Sequence, residues 1–244
     1  MDDPAFLVIV ILSFGLAGLV KGVVGLGLPT VSLGLMTLFV DLPTAMVVLV
    51  LPALITNIWQ AVGGGHFKAL YRRLWPFLIF AVLMVPMGTF LFVMVDAAIL
   101  ERILGGLLML YAVTGLVGWA PQIRPEHERL AGVACGAVNG VLTGLAGTLF
   151  IPGVAFLQAL GLPRDQLVQA MGMLFAAATA SLGTALVLNG LVPPSLGVLS
   201  AIALWPALIG MYCGQRLRRH VPEALFRKVF LVALAGIGCY IGLA

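Results

Sequence analysis

The chain has 244 residues, of which 62% are hydrophobic and 9% charged, and its mean hydropathy is +1.17. A water-soluble domain carries about 25% charged residues to wet its surface, so this composition excludes a free globular protein and makes lipid the outer solvent. The formal net charge of +4 does not point to nucleic acid as a partner, because the basic residues fall in short gaps between apolar stretches, where they report membrane orientation.

At the N-terminus, Asp2 and Asp3 stand where a signal peptide needs Lys or Arg, so no cleaved leader is expected. The first apolar region, 6–40, is too long for one span and is interrupted by Gly18, Gly22, Gly25 and Gly27 ahead of Pro29. It reads as a pair of short helices joined by a break. Stretches 44–62, 74–95 and 103–119 each suit one helix across about 30 Å of hydrocarbon. The plan then recurs: 130–160 is again overlong and is interrupted by Gly136, Gly140, Gly144 and Gly147, and three spans follow at 167–188, 195–214 and 225–244. Cys135, Cys213 and Cys239 are scattered without a CxxC pair, which predicts small apolar filler rather than a disulfide framework or a metal site. His66, His127 and His220 fall in the gaps with no second ligand type at metal spacing, and nothing is assigned to them.

Lys and Arg decide how these pieces thread, since short cytoplasmic loops collect them. Lys68, Arg72 and Arg73 form one cytoplasmic gap; Arg124 and Arg129 form a second; Arg216, Arg218, Arg219, Arg227 and Lys228 form a third. Asp96, Glu101 and Arg102 then lie outside. The region from Leu130 starts inside, and so must the span at 167–188, so the piece between returns to its own side as a hairpin, either re-entrant or made of two short spans. A plain eight-span count is rejected because it puts five basic residues outside. An even number of crossings in a hairpin plus three spans makes the second half enter with opposite orientation. The expected fold is an all-α integral membrane protein, one membrane domain over 1–244, with two inverted repeats, 5–120 and 129–244, each a glycine-broken helical hairpin followed by three transmembrane helices. That is a recurrent transporter plan, in which two related halves open a central site to either side in turn.

Lys21 carries the most chemistry. It sits deep in the first hairpin, where a buried ammonium costs several kcal/mol and persists only with a partner. No Asp or Glu lies in a predicted span interior, which makes a bound anion the candidate partner; the other reading is that Lys21 snorkels to an interface or caps a helix C-terminus. Gly22, Gly25, Gly27, Gly140, Gly144 and Gly147 let the backbone break and approach a ligand, with the helix beyond each break aiming N–H groups at an anion. For Gly18, Gly22, Gly136 and Gly140, tight helix packing is an equal reading. Asn139, Thr143 and Thr148 offer neutral donors at the second break, Asn139 being the counterpart of Lys21 when Gly22 is aligned with Gly140. Asn57 and Gln60, at helical spacing with Trp59 between them, complete the candidate pocket; Trp59 reads equally as an interfacial anchor. Gln158 and Gln169 are weaker candidates of the same type.

The strings Lys21-Gly22-Val23-Val24-Gly25-Leu26-Gly27-Leu28-Pro29, Asn57-Ile58-Trp59-Gln60 and Gly140-Val141-Leu142-Thr143-Gly144-Leu145-Ala146-Gly147-Thr148, leading to Pro152, carry a resemblance. With them the chain resembles the TauE/SafE family of sulfite exporters, also called the toluene sulfonate uptake permease family, through both repeats. The resemblance implies transport of small anions bearing sulfite or sulfonate groups, most often outward, by a multi-pass protein of the inner (plasma) membrane. The expected partners are the small anionic substrate and the lipid bilayer, with a homodimer left open. A membrane enzyme needs a nucleophile with its base or paired carboxylates within reach of each other. No His, Asp or Glu lies mid-span here, so no catalytic residue, cofactor or metal ligand is assigned.

Overall fold

The structure, a computed structural model, describes residues 4–118, 122–147, 152–217 and 223–243. Among these residues it is helical throughout: α1 Pro4–Val24, α2 Leu28–Met36, α3 Leu42–Val62, α4 Phe67–Leu83, α5 Val85–Met94, α6 Ala97–Val117, a 3-10 turn Pro125–His127, α7 Glu128–Ala146, α8 Gly153–Ala159, α9 Arg164–Leu188, α10 Pro194–Leu217 and α11 Glu223–Leu243. Among the described residues eight helical segments are long and apolar enough to cross a membrane, α4 and α5 counting as one.

The two glycine-broken regions differ from the expected pairs of short helices. Each has a long first arm and a short second arm: α1 has 21 residues and α2 has 9, while α7 has 19 and α8 has 7. The early glycines of each region lie within the long arm, and the chain turns only at the last ones. Gly25 and Gly27 adopt φ of +86° and +112°, and Gly147 adopts +67°, backbone that a side chain resists.

Two compact units are present. The first comprises Met1–Pro52, Asp96–Gly118 and Gly190–Ala244, and the second Ala53–Val95 and Trp119–Asn189. In the first unit, α1 packs along α10, and α6 along α11. The α1–α10 seam is made of glycines: a Cβ on Gly18 would run into the carbonyl oxygen of Ala207, one on Gly22 into that of Met211, and one on Gly214 into that of Leu19. In the second unit, α7 packs along α4 and α5. There a Cβ on Gly136, Gly140 or Gly144 would meet the carbonyl oxygens of Phe77, Ala81 and Val85 in turn. Without hydrophobic drive between helices in lipid, close backbone approach at small residues is what holds such pairs.

The same sequence string lies at both seams. Leu74-Trp75-Pro76-Phe77-Leu78-Ile79 recurs as Leu204-Trp205-Pro206-Ala207-Leu208-Ile209. Gly136 meets the residue after the proline in the first string, and Gly18 meets the residue after the proline in the second.

At two of the prolines a serine hydroxyl takes up the carbonyl that the missing N–H would have bonded. Pro52 in α3 has no N–H for the carbonyl of Val48. The Ser200 hydroxyl donates to that carbonyl at 2.9 Å and accepts the Leu51 N–H at 3.2 Å. Pro86, in the first turn of α5, likewise offers no N–H to the carbonyl of Val82, and the Ser181 hydroxyl donates to it at 2.9 Å. The span expected at 74–95 is accordingly two helices meeting at Met84.

Candidate functional site

In the first unit, Lys21 lies in the last turn of α1 and is 4% exposed. Its N-terminal neighbours pack the α10 seam, and Gly22 belongs to that seam too. Beyond Gly25 and Gly27 the chain enters α2, whose end is buried and bears no side-chain cap. Pro29 at the second helical position has no N–H, so the donors at this terminus are the N–H groups of Leu28 and Thr30. The positive end of the α2 dipole coincides with them.

Thr30 adds a third donor that sequence reasoning missed. It is 1% exposed, and its hydroxyl has no hydrogen-bond partner among the described residues. Several helical hydroxyls bond the carbonyl four residues back, as Ser32 does with Leu28 at 2.7 Å and Thr37 with Leu33 at 2.8 Å; the buried Thr179 hydroxyl, in the middle of α9, shares with Thr30 the lack of a partner but does not stand at a helix terminus. For Thr30 the residue four back is Leu26, which precedes the helix. The available signal was its place directly after the Gly-x-Gly-x-Pro break, within the first turn of a helix whose N–H groups are unfilled.

The second unit handles its break differently. Asn139 on α7 is fully buried and its carboxamide oxygen accepts the N–H of Gly153, the first residue of α8, at 3.1 Å. Its amide nitrogen stands 3.5 Å from the Thr143 hydroxyl, which donates to the Asn139 carbonyl at 2.7 Å. Asn139 and Thr143 are thus brought together, but their polar atoms serve one another and the α8 terminus. Gly144 packs on α5, and Gly147 is the left-handed cap of α7. Thr148 lies outside the described residues.

Asn57 is fully buried on α3. Gln60 donates to the Val168 carbonyl of α9 at 2.7 Å, and Gln169 returns the bond to the Ala61 carbonyl at 2.7 Å while accepting the His66 N–H at 2.9 Å. Gln60 and Gln169 therefore stitch α3 to α9. Trp59 is 70% exposed, as an interfacial anchor is, and Gln158 is exposed as well. Among the described residues no group of three His, Cys, Asp or Glu side chains could hold a metal, and no Asp, Glu or His is among the buried polar side chains.

The family model for the sulfite exporter TauE/SafE matches residues 10–241, from the first arm of the first hairpin to the end of α11. The chain belongs to the sulfite exporter TauE/SafE family. This TauE/SafE protein is a multi-pass membrane protein of a transporter family, and the glycine breaks of both hairpins lie inside the matched segment. No curated protein and no solved structure shows a match to it.

Proposed function

We propose that this TauE/SafE protein exports a small sulfur oxyanion, sulfite or a sulfonate, by alternating access of two inverted repeats in the inner membrane. The anion is held at the N-terminus of α2 by the backbone N–H groups of Leu28 and Thr30 and the Thr30 hydroxyl, with Lys21 supplying the positive charge.

One asymmetry carries this reading. At the second break, Asn139 fills the end of α8 with its own carboxamide oxygen. At the first, the aligned residue is Lys21, which has no acceptor to offer, and among the described residues no side chain accepts from the Leu28 or Thr30 N–H. A helix N-terminus left open and joined by a buried cation and an unbonded hydroxyl suits an oxyanion, which brings several acceptor oxygens and no donor. The repeated Leu-Trp-Pro-x-Leu-Ile string and the matched glycine seams support two related repeats. The inverted arrangement rests on the basic gaps and on the count of crossings.

An interior held negative favours anion exit by about 2.3 kcal/mol per elementary charge for each 100 mV, enough for a concentration ratio of roughly fifty without a coupled ion. No buried carboxylate or histidine among the described residues offers a proton relay, so membrane potential suffices as the drive. Titrating purified protein with sulfite, a sulfonate, sulfate and small carboxylates tests the assignment. Tightest binding of sulfite or the sulfonate, lost in Lys21→Met, supports it; tightest binding of a carboxylate reassigns the substrate.

A further inference from the structure

We propose that a cavity at the N-terminal ends of α4 and α7 holds the phosphate of an anionic membrane lipid. The cavity measures about 290 Å³, and its lining includes Arg72, Arg73, Trp75, Glu128, Arg129 and Gly132, all within the second unit. Its charges do not cancel. Arg73 is neutralised by Glu128 through two parallel bonds, Nε to Oε1 at 2.7 Å and Nη2 to Oε2 at 2.8 Å. Arg129 lies over the Trp75 ring, its guanidinium carbon 5.5 Å from the centroid, an arrangement that fixes its plane and leaves its N–H groups for an acceptor. Arg72 makes no hydrogen bond or ion pair among the described residues and lines the same space. Two guanidinium groups without a carboxylate, beside a third already paired, form a site for a phosphate that accepts from planar forks.

The packing of the helix pair does not require this site. On α1, the position four residues before Gly18, matching Gly132 four before Gly136, is Phe14, which is fully buried. Where α4 has Arg72 and Arg73, the matched positions of α10 are Ile202 and Ala203, and where α7 has Arg129, α1 has Ile11. The same seam is thus built once with a phenylalanine and no charge. In the second unit it is built with a glycine, an open space and arginines.

The surroundings favour a lipid over a soluble anion. The cavity lies near the beginnings of two span-length segments, Phe67–Met94 and Pro125–Ala146, the ends of a span being where headgroups lie. Trp75 on its rim is 41% exposed and Leu130, next to Arg129, is 72% exposed, apolar surface that acyl chains cover and a free phosphate does not. The basic gaps place this end in the cytoplasmic leaflet, where anionic lipids meet basic pockets between helices.

The test is lipid binding to delipidated, detergent-purified protein, counted by native mass spectrometry during titration with phosphatidylglycerol, phosphatidylcholine or inorganic phosphate. Wild type binds phosphatidylglycerol in preference to phosphatidylcholine, and each of Arg72→Gln and Arg129→Gln lowers that affinity about fivefold. Lys68→Gln, in the same helix but outside the cavity, leaves it unchanged. Should Arg129→Gln not fold, Arg72→Gln alone decides, because the Arg72 guanidinium makes no bond among the described residues. Equal affinity for the two lipids, or a preference that survives Arg72→Gln, overturns the proposal; displacement of the lipid by an equal concentration of inorganic phosphate reassigns the cavity to a soluble anion.

Discussion

The side-chain oxygen of Asn139 accepts the Gly153 N–H at 3.1 Å and closes the end of α8 within the second unit. Asn139 is therefore a cap, and Asn139→Ala leaves a buried donor unfilled at a cost of about 1 kcal/mol. The expected fall in unfolding temperature is roughly 2–4 °C for a chain of this size. Anion affinity should hardly change. A thermal melt alongside an anion titration separates this outcome from loss of affinity at unchanged stability, which would make Asn139 a ligand to the substrate.

Ser200 and Pro52 make a second pair whose energies are linked. Ser200→Ala strips the Val48 carbonyl of its donor, costing about 0.6–1.7 kcal/mol on the scale measured for hydrogen bonds between membrane helices. Pro52→Ala restores an N–H four residues after Val48, so the double variant should recover most of the loss. Denaturant unfolding of the two single variants and the double variant measures the coupling. Strictly additive losses would show that the hydroxyl and the proline act separately.

The glycine seams predict a graded response to alanine. Gly22→Ala and Gly140→Ala put a Cβ against the carbonyl oxygens of Met211 and Ala81 and should destabilise by about 1–3 kcal/mol. A Cβ on Gly106 meets nothing within 4 Å, and Gly106→Ala should be neutral or slightly stabilising. Melting curves in one detergent rank the three. A Gly106→Ala protein less stable than Gly22→Ala would contradict the seam.

Much of this was legible beforehand, for identifiable reasons. Apolar length found the spans, and the glycine strings found both breaks. What periodicity does not show is the unequal arms: for Gly18, Gly22, Gly136 and Gly140 the breaking and packing readings stood equal in the string of letters, and only a partner backbone lying against them shows the packing. The split at Met84 was hidden because Pro86 sits in an uninterrupted apolar run, and only the Ser181 hydroxyl on α9 reveals where its orphan carbonyl goes. For the site, Lys21 was conspicuous as a charge among apolar residues. The backbone partners of Gln60 and Asn139 were not legible, because an amide's partner cannot be read from its spacing. Thr30 was invisible, since its distinction is an unbonded hydroxyl placed at the start of α2.

Orientation is tested by single cysteines in a background lacking Cys135, Cys213 and Cys239. Cysteines at Arg72 and Arg124 should be modified only from the cytoplasm, and those at Asp96 and Asn189 only from outside. Arg218, Asp2 and Ala244 lie outside the described residues and extend the series, the first expected inside and the other two outside. A cytoplasmic Ala244 would rule out inverted repeats.

Export of an oxyanion that depends on Lys21 is tested most directly by flux. Proteoliposomes loaded with sulfite or a sulfonate and clamped by a potassium gradient with valinomycin should release the anion in proportion to an interior-negative potential and carry net negative charge outward. Lys21→Met, reconstituted to the same density, should release it no faster than empty liposomes, while Lys21→Arg retains part of the rate because it keeps the charge and changes the geometry. Undiminished, voltage-driven flux through Lys21→Met would contradict the account.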